Sequence, residues 1–179
     1  MTGLPSGPRG DFRVGIEIER KFLVRSDAWR AGVSGHIAIR QAYLATDGKA
    51  SIRVRIRDNM SATLSVKSRS ASLSRLELEY PIPVRDAEAM IQLRHGAVIE
   101  KVRHLVPHGD LTFEVDIFSG ENDGLVIAEI ELRDEHQAIA LPDWIGAEIT
   151  GQQQYYNSAL VLRPYRSWPQ HAAVAETSA

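Results

Sequence analysis

The stretch "GIEIERKFLV" (residues 15–24) alternates ionisable and apolar side chains with a period of two. In a strand this puts Glu17, Glu19 and Lys21 on one face and leaves Ile16, Ile18 and Phe22 or Leu23 for a core. Two carboxylates beside one ammonium can grip a hard cation and an anionic oxygen at the same time. The pattern recurs with changing sign. "SIRVRIRD" aligns Arg53, Arg55 and Arg57 opposite Ile52, Val54 and Ile56. "TLSVKS" sets Ser65 and Lys67 against Leu64 and Val66, and "SRLELEY" sets Arg75, Glu77 and Glu79 against Leu76 and Leu78. "EKVRH" pairs Lys101 with Arg103, "LTFEVDIF" pairs Glu114 with Asp116, and "IAEIELR" pairs Glu129 with Glu131.

A half-buried sheet with a solvated charged face explains any one of these strands. It explains the set less well. Like charges at i and i+2 repel one another, and a solvated face ordinarily mixes signs. Rows of a single sign are tolerated when something between them neutralises both. A closed antiparallel barrel of eight strands directs so many side chains into one volume, with a polar, charged interior and the apolar faces turned outward beneath helices. Arginine and lysine there ask for an anion, and clustered carboxylates ask for a hard divalent cation. A polyphosphate chelated by Mg²⁺ or Mn²⁺ meets both demands.

The elements that must position these residues read as strands over 14–24, 36–45, 50–58, 62–69, 74–83, 97–106, 110–118 and 125–132. "SDAWRAGVSG" predicts a short helix after Ser26. "RDAEAMIQLRHG" predicts one capped by Asp86, stopped by Gly96 and burying Met90, Ile91 and Leu93. "TGQQQYYNSALVLRP" has a capping-box pattern at Thr150 and Gln153 and ends at Pro164, and "LPDW" (141–144) reads as a turn. The fold class is therefore α+β, an eight-stranded antiparallel barrel with helices packed outside. Residues 1–12 read as a flexible arm, 13–164 as one domain and 165–179 as a disordered tail, with Trp168 free to dock.

Composition narrows the function. The 179 residues carry a formal net charge of −2, without the basic excess of a nucleic-acid binder. The absence of cysteine excludes thiolate metal sites, disulfides and cysteine nucleophiles. No apolar run is long enough to span a membrane, and the N-terminal stretch lacks a signal-peptide core, so a cytoplasmic protein is expected. The six histidines fall at no metal-ligand spacing. Trp29 and Trp144 read as packing residues, and "SGENDGL" as a hairpin turn.

"EIERKFLV", "IRQAYL", "RVRIR", "LSVKS", "SRLELEY", "EKVRH", "FEVDIFSGENDGLVIAEIEL" and "LPDWIGAEIT…YYNSAL" occur in order across residues 14–164. In this ordered set the sequence resembles the CYTH, or triphosphate tunnel metalloenzyme, superfamily, whose members include inorganic triphosphatases, thiamine triphosphatases, RNA triphosphatases and class IV adenylate cyclases. The resemblance implies a tunnel that holds a triphosphate and divalent metal, Mg²⁺ or Mn²⁺. It implies metal binding by Glu17, Glu19, Glu129 and Glu131, and a phosphate cradle of Lys21, Arg55, Arg57, Lys67, Lys101 and Arg103, with Arg53 at its entrance. Glu77, Glu79, Glu114 and Asp116 are supporting acids on the same inner face. Catalysis falls to Glu17 or Glu19 as proton acceptor and to Lys67 or Lys101 at the leaving phosphate. Relatives often carry basic residues in the last helix, where this chain has Gln152, Gln153 and Gln154. The expected activity is hydrolysis of inorganic triphosphate to pyrophosphate and phosphate. Adenylate cyclisation, thiamine triphosphate hydrolysis and non-catalytic polyphosphate binding are the alternatives. The expected partner is a small anionic triphosphate, with no nucleic acid and no membrane, and a homodimer is left open.

Overall fold

A computed structural model describes residues 12–13, 18–45, 50–68, 77–134 and 136–169. Their strands are β1 (Phe12–Arg13), β2 (Ile18–Val24), β3 (Gly35–Ala45), β4 (Ala50–Arg57) and β5 (Ser61–Ser68), then β6 (Glu77–Ile82), β7 (His95–His108), β8 (Leu111–Ser119), β9 (Val126–Leu132) and β10 (Ile145–Glu148). They form one sheet in the order β1-β6-β5-β4-β3-β7-β8-β9-β2-β10, antiparallel at every pairing.

The expected closed barrel of eight strands is corrected on both counts. The sheet is open, and it has ten strands, nine of them four residues or longer. Two causes account for the difference. β1 (Phe12–Arg13), just ahead of the first expected strand and starting at the last residue of the expected flexible arm, pairs with β6, whereas the described part of that expected strand, Ile18–Val24, pairs with β9. β10 then adds itself to the outer edge of β2 through a bulged register. The five peptide steps from Arg13 to Ile18 reach at most about 18 Å, so the β6 and β9 sides of the sheet are held within that distance by the chain itself. The sheet is rolled without being sealed.

Residues directly opposite on neighbouring strands share a face. By that register Glu79, Ser65, Lys67, Arg53, Arg55, Arg57, Gln41, Lys101, Arg103, Glu114, Asp116, Glu129, Glu131, Glu19 and Lys21 all lie on one side, as the alternation predicts. The other side is apolar. Phe22, Phe113, Val115, Ala128 and Ile130 meet Trp29 and Trp144 there. Further along, Val54, Ile56 and Ala62 are covered by Ala87 and Ile91 of α1 (Val84–Ile91). Helix outside and charge inside is the arrangement read from the sequence. Among the described residues no helix is long and apolar enough to cross a membrane.

The inner face is not polar along its whole length. Towards one end Tyr43, Ile99, Phe118 and Ile127 replace the charged side chains and pack against Ile149, Leu160, Val161 and Trp168. Residues 149–168 thus fill that end. The expected helix from Thr150 is instead a 3₁₀ turn at Gln153–Tyr155 followed by the short α2 (Asn157–Leu160). The Thr150 hydroxyl does not cap it. It accepts the Lys21 backbone N–H at 3.0 Å and donates to Glu148 Oε1 at 2.7 Å. Trp168, in the stretch expected as a tail free to dock, is buried between Tyr155 and Tyr165.

Two further expectations change. α1 begins after Pro83 rather than at Asp86, and Leu93 beyond its end is 72% exposed rather than buried. Gly96 lies inside β7, at φ +72°, where a Cβ would stand 2.1 Å from the Val161 carbonyl oxygen. That carbonyl accepts the Ala97 N–H at 2.8 Å, so the glycine admits the C-terminal segment instead of stopping a helix.

Candidate active site

The charged residues separate into two walls. On β2, β7, β8 and β9 opposite signs are interlocked. Lys21 Nζ lies 2.6 Å from Glu129 and 2.9 Å from Glu19. Lys101 donates to Asp116, and both side chains are fully buried. Arg103 reaches Asp116 with Nε and Nη2 at 2.8 and 2.7 Å, Glu129 with Nη2 at 2.8 Å, and Glu114 with Nη1.

The electrostatics follow from this packing. Burial alone would raise the Glu129 pKa, but Lys101, Lys21 and Arg103 together bring it down to about 2. Burial works against charge on Lys21, yet Glu129 and Glu19 outweigh it and hold the ammonium above its ordinary value. Burial likewise opposes the Arg103 charge and is overcome by Asp116, Glu129 and Glu114. At Lys101 burial wins: its pKa falls despite Asp116. Glu114 is pushed up, by burial first and by Glu129 and Asp116, against Arg103.

The other wall, on β4, β5 and β6, is not balanced in this way. Among the described residues the β4 arginines make one ion pair, from Arg57 to Glu79 at 3.8 Å. Arg53 Nη2 donates to the Ser65 hydroxyl at 3.4 Å, and its Nε is buried with no hydrogen-bond partner among the described residues. Arg55 donates Nε to the neutral Gln41 Oε1 at 2.9 Å. Burial, then the charges of Arg53, Arg57 and Arg103, lower its pKa to about 9, which still leaves it protonated at neutral pH. Glu79 also accepts the Ser65 hydroxyl at 2.9 Å. Lys67 stands on the same face, opposite Ser51 and Glu77 in register.

Of the expected metal ligands, Glu17 lies outside the described residues, as does the Glu77 side chain among the supporting acids. Glu19 and Glu131 sit directly opposite each other across β2 and β9, and Glu129 faces Lys21 one step inward. Among the described residues no three His, Asp or Glu side chains converge as a ready-made metal centre. The oxygen donors are nonetheless of the hard type that suits Mg²⁺ or Mn²⁺, and a like-charged pair held opposite is relieved by a cation. Gln152, Gln153 and Gln154 are exposed; Gln152 Nε2 donates to the Glu148 carbonyl of β10 and Gln154 Nε2 to Gln152 Oε1, each at 3.3 Å.

Two residues of this site were not singled out from the sequence. Gln41 is fully buried on the inner face. It sits in "IAIRQAYLA", where both faces are largely apolar and period-two charge gives no signal. Ser65 was seen only as a neighbour of Lys67. Its burial between Arg53 and Glu79 needs the strand register to appear.

Comparison with known proteins adds an independent line. The model of the CYTH domain matches residues 15–163. The chain is 47% identical over 156 residues to the inorganic triphosphatase of Acetivibrio thermocellus, covering 87% of this chain and 99% of that protein. It is 36% identical over 150 residues to the inorganic triphosphatase of Nitrosomonas europaea, covering 82% and 97% respectively. The crystal structure of the inorganic triphosphatase NE1496 superposes with a TM-score of 0.63 at 32% identity, over 82% of this chain and 94% of that one. With the domain model spanning most of its length and relatives this similar along nearly their whole lengths, the chain belongs to the CYTH domain family.

Proposed function

We propose that this chain is a hydrolase that cleaves inorganic triphosphate to pyrophosphate and phosphate with the help of a divalent cation, Mg²⁺ or Mn²⁺. The observation that carries this reading is the β4 wall: three arginines on one face with a single long ion pair among the described residues, opposite a wall whose charges are already matched. An extended anion that lies along Arg53, Arg55 and Arg57 supplies the missing charge. The names of the two similar proteins point to the same substrate.

Lys21, Arg53, Arg55, Arg57, Lys67 and Arg103 bind and orient the phosphates, and their fixed charges stabilise the transition state. Glu19, Glu129 and Glu131, with Glu17, are the residues to hold the cation. When bound, that cation supplies Lewis-acid polarisation of phosphoryl oxygens and acidifies water. In the cleavage itself, water attacks the terminal phosphorus and its proton passes to Glu17 or Glu19. The bridging P–O bond breaks and its electron pair leaves with pyrophosphate. Lys67 is half-buried and stands beside the arginine row, which suits it to the leaving group. Lys101 is sealed against Asp116 and Phe118, which suits it to holding Arg103 and Asp116 in place.

Adenylate cyclisation needs an aromatic platform for the base. Tyr43 is buried in the apolar cluster at the filled end, and Tyr155 packs on Trp168. Tyr156 is the exposed one of the three tyrosines that could stack on a base, so the cyclic AMP assay discriminates this alternative.

The test is phosphate release from tripolyphosphate, ATP, thiamine triphosphate and pyrophosphate with each cation, for the wild type and for Lys67→Ala and Glu19→Ala. Tripolyphosphate is expected to be the best substrate, with both variants losing at least about a hundredfold in rate. Full activity in both variants, or a preference for ATP with cyclic AMP as product, refutes the assignment.

A further inference from the structure

Gln41 is fully buried in the middle of the charged face, directly opposite Arg55. Its carboxamide orientation is fixed by chemistry. Arg55 Nε is a donor only, so the atom 2.9 Å away must be the acceptor Oε1. The Nε2 amino group is then committed to the other side, where it is buried and has no hydrogen-bond partner. Leaving a buried donor unmatched is costly, and an apolar residue of similar size would avoid that cost. The same face holds a second orphan donor, Arg53 Nε, on the neighbouring strand.

The neutrality of Gln41 matters as much as its position. A carboxylate here would hold Arg55 at least as firmly, but it would cancel the charge that an anion needs. A carboxamide orients the guanidinium, leaves its charge uncompensated and adds a donor of its own. We infer that Gln41 contacts the substrate, donating Nε2–H to a phosphoryl oxygen while Oε1 fixes Arg55. This rests on the triphosphatase reading and names a residue of that site beyond its charged set.

The experiment compares Gln41→Glu and Gln41→Met with the wild type, reading KM and kcat for tripolyphosphate from pH 5 to 8 and folding by circular dichroism. Gln41→Glu keeps the acceptor for Arg55 and loses the donor. Its KM is expected to rise about tenfold to a hundredfold relative to wild type at pH 8, as for a lost hydrogen bond to a charged group. Gln41→Met, which loses both the acceptor for Arg55 and the donor, should show a raised KM as well. Gln41→Glu brings a charge onto Arg55 as well as removing the donor, so a KM that stays at the wild-type value throughout overturns the inference, while the Gln41 amide signals separate a contact from mere positioning of Arg55. A second reading does not depend on variants that fold. The Gln41 side-chain amide signals in ¹⁵N-labelled wild type should shift on saturation with tripolyphosphate in EDTA, and signals that stay put overturn the contact. A wild-type protein that neither binds nor cleaves tripolyphosphate overturns the triphosphatase reading itself. Normal wild-type turnover with an unchanged Gln41→Glu variant overturns only this inference.

Discussion

Replacing Asp116 with asparagine keeps the shape of a side chain that has no exposed surface and removes its charge. Asp116 receives Lys101 Nζ, Arg103 Nε at 2.8 Å and Arg103 Nη2 at 2.7 Å. Arg103 retains Glu114 and Glu129 after the change. Lys101 does not fare so well. Its side chain is wholly buried, and Asp116 is its hydrogen-bonded partner among the described residues. Breaking a buried pair from one side costs about 3–5 kcal/mol, because the charge left behind stays desolvated. A domain of this size loses about 2–4 °C of Tm per kcal/mol, so Asp116→Asn should melt about 6–20 °C below wild type.

Lys101→Met offers the counter-test. Lys101 Nζ lies 5.2 Å from the Phe118 ring centroid, a distance that suits a thioether against an aromatic edge. In the double variant the stranded ammonium is gone, and at least half of the lost Tm should return. Thermal melts of the four proteins in the cycle decide it. An Asp116→Asn variant within about 2 °C of wild type, or a double variant no better than the sum of the singles, refutes the claim that Lys101 and Asp116 form one buried unit.

The remaining expectations concern acid, ligand and packing. Because Glu129 is held at about 2 in the folded chain against an ordinary 4.5, its contribution is full above the unfolded value and is lost as pH falls through 4.5 towards 2, on the order of 3 kcal/mol in all. The Tm gap between wild type and Glu129→Gln should therefore close over that window, and a gap that is constant from pH 6 to pH 2 contradicts it. Glu114, whose pKa is raised, works in the opposite sense and offsets part of this loss. Tripolyphosphate at a hundredfold excess over its Kd should stabilise the chain by about 2.7 kcal/mol even in EDTA, because the arginine row needs no metal to attract it. Arg55→Ala should lose most of that shift, and no shift in the wild type would remove the arginine row from substrate binding. Trp168→Ala should cost about 3–5 kcal/mol in a urea melt, as expected for an aromatic side chain packed between Tyr155 and Tyr165. A loss below about 1 kcal/mol would mean that the segment does not seal the apolar end.

What the sequence made legible was periodic. Arg53, Arg55 and Arg57, or Glu129 and Glu131, announce their strand and their face together, because a side chain that must reach the interior recurs at every second residue. The pairings are another matter. Lys101 and Asp116 are 15 residues apart on strands whose register is set by cross-strand hydrogen bonds, which alternation does not specify. β10 has four residues, one of them Gly146, whose missing Cβ lets the Leu23 carbonyl approach, so it carries neither length nor alternation. The capping-box pattern at Thr150 misled for a physical reason. A hydroxyl that satisfies a helix N-terminus can equally satisfy the backbone of a neighbouring strand, and here Lys21 N–H takes it. The apolar end of the inner face is also silent in the sequence, because Ile99, Phe118 and Ile127 stand at positions whose parity matches the charged rows and pack against the C-terminal segment.

The two walls make opposite contributions to the molecule. On the β2, β7, β8 and β9 side, burial is answered within the protein. Each cation touches a carboxylate, and the pKa of Glu129 records how strongly the arrangement favours its charged form. On the β4 side the answer is withheld: Arg55 leans on an uncharged amide, and its lowered pKa records the repulsion of three like neighbours. A carboxylate at position 41 or between the arginines would answer their charge within the protein, as Glu129 and Asp116 do on the other wall. An imbalance on one wall suits a binding site for an anion, since charge the protein leaves unmatched is the charge most readily offered to a ligand. The matched wall supplies the rigidity that lets the other remain uncompensated, which is why both are built on strands of one continuous sheet.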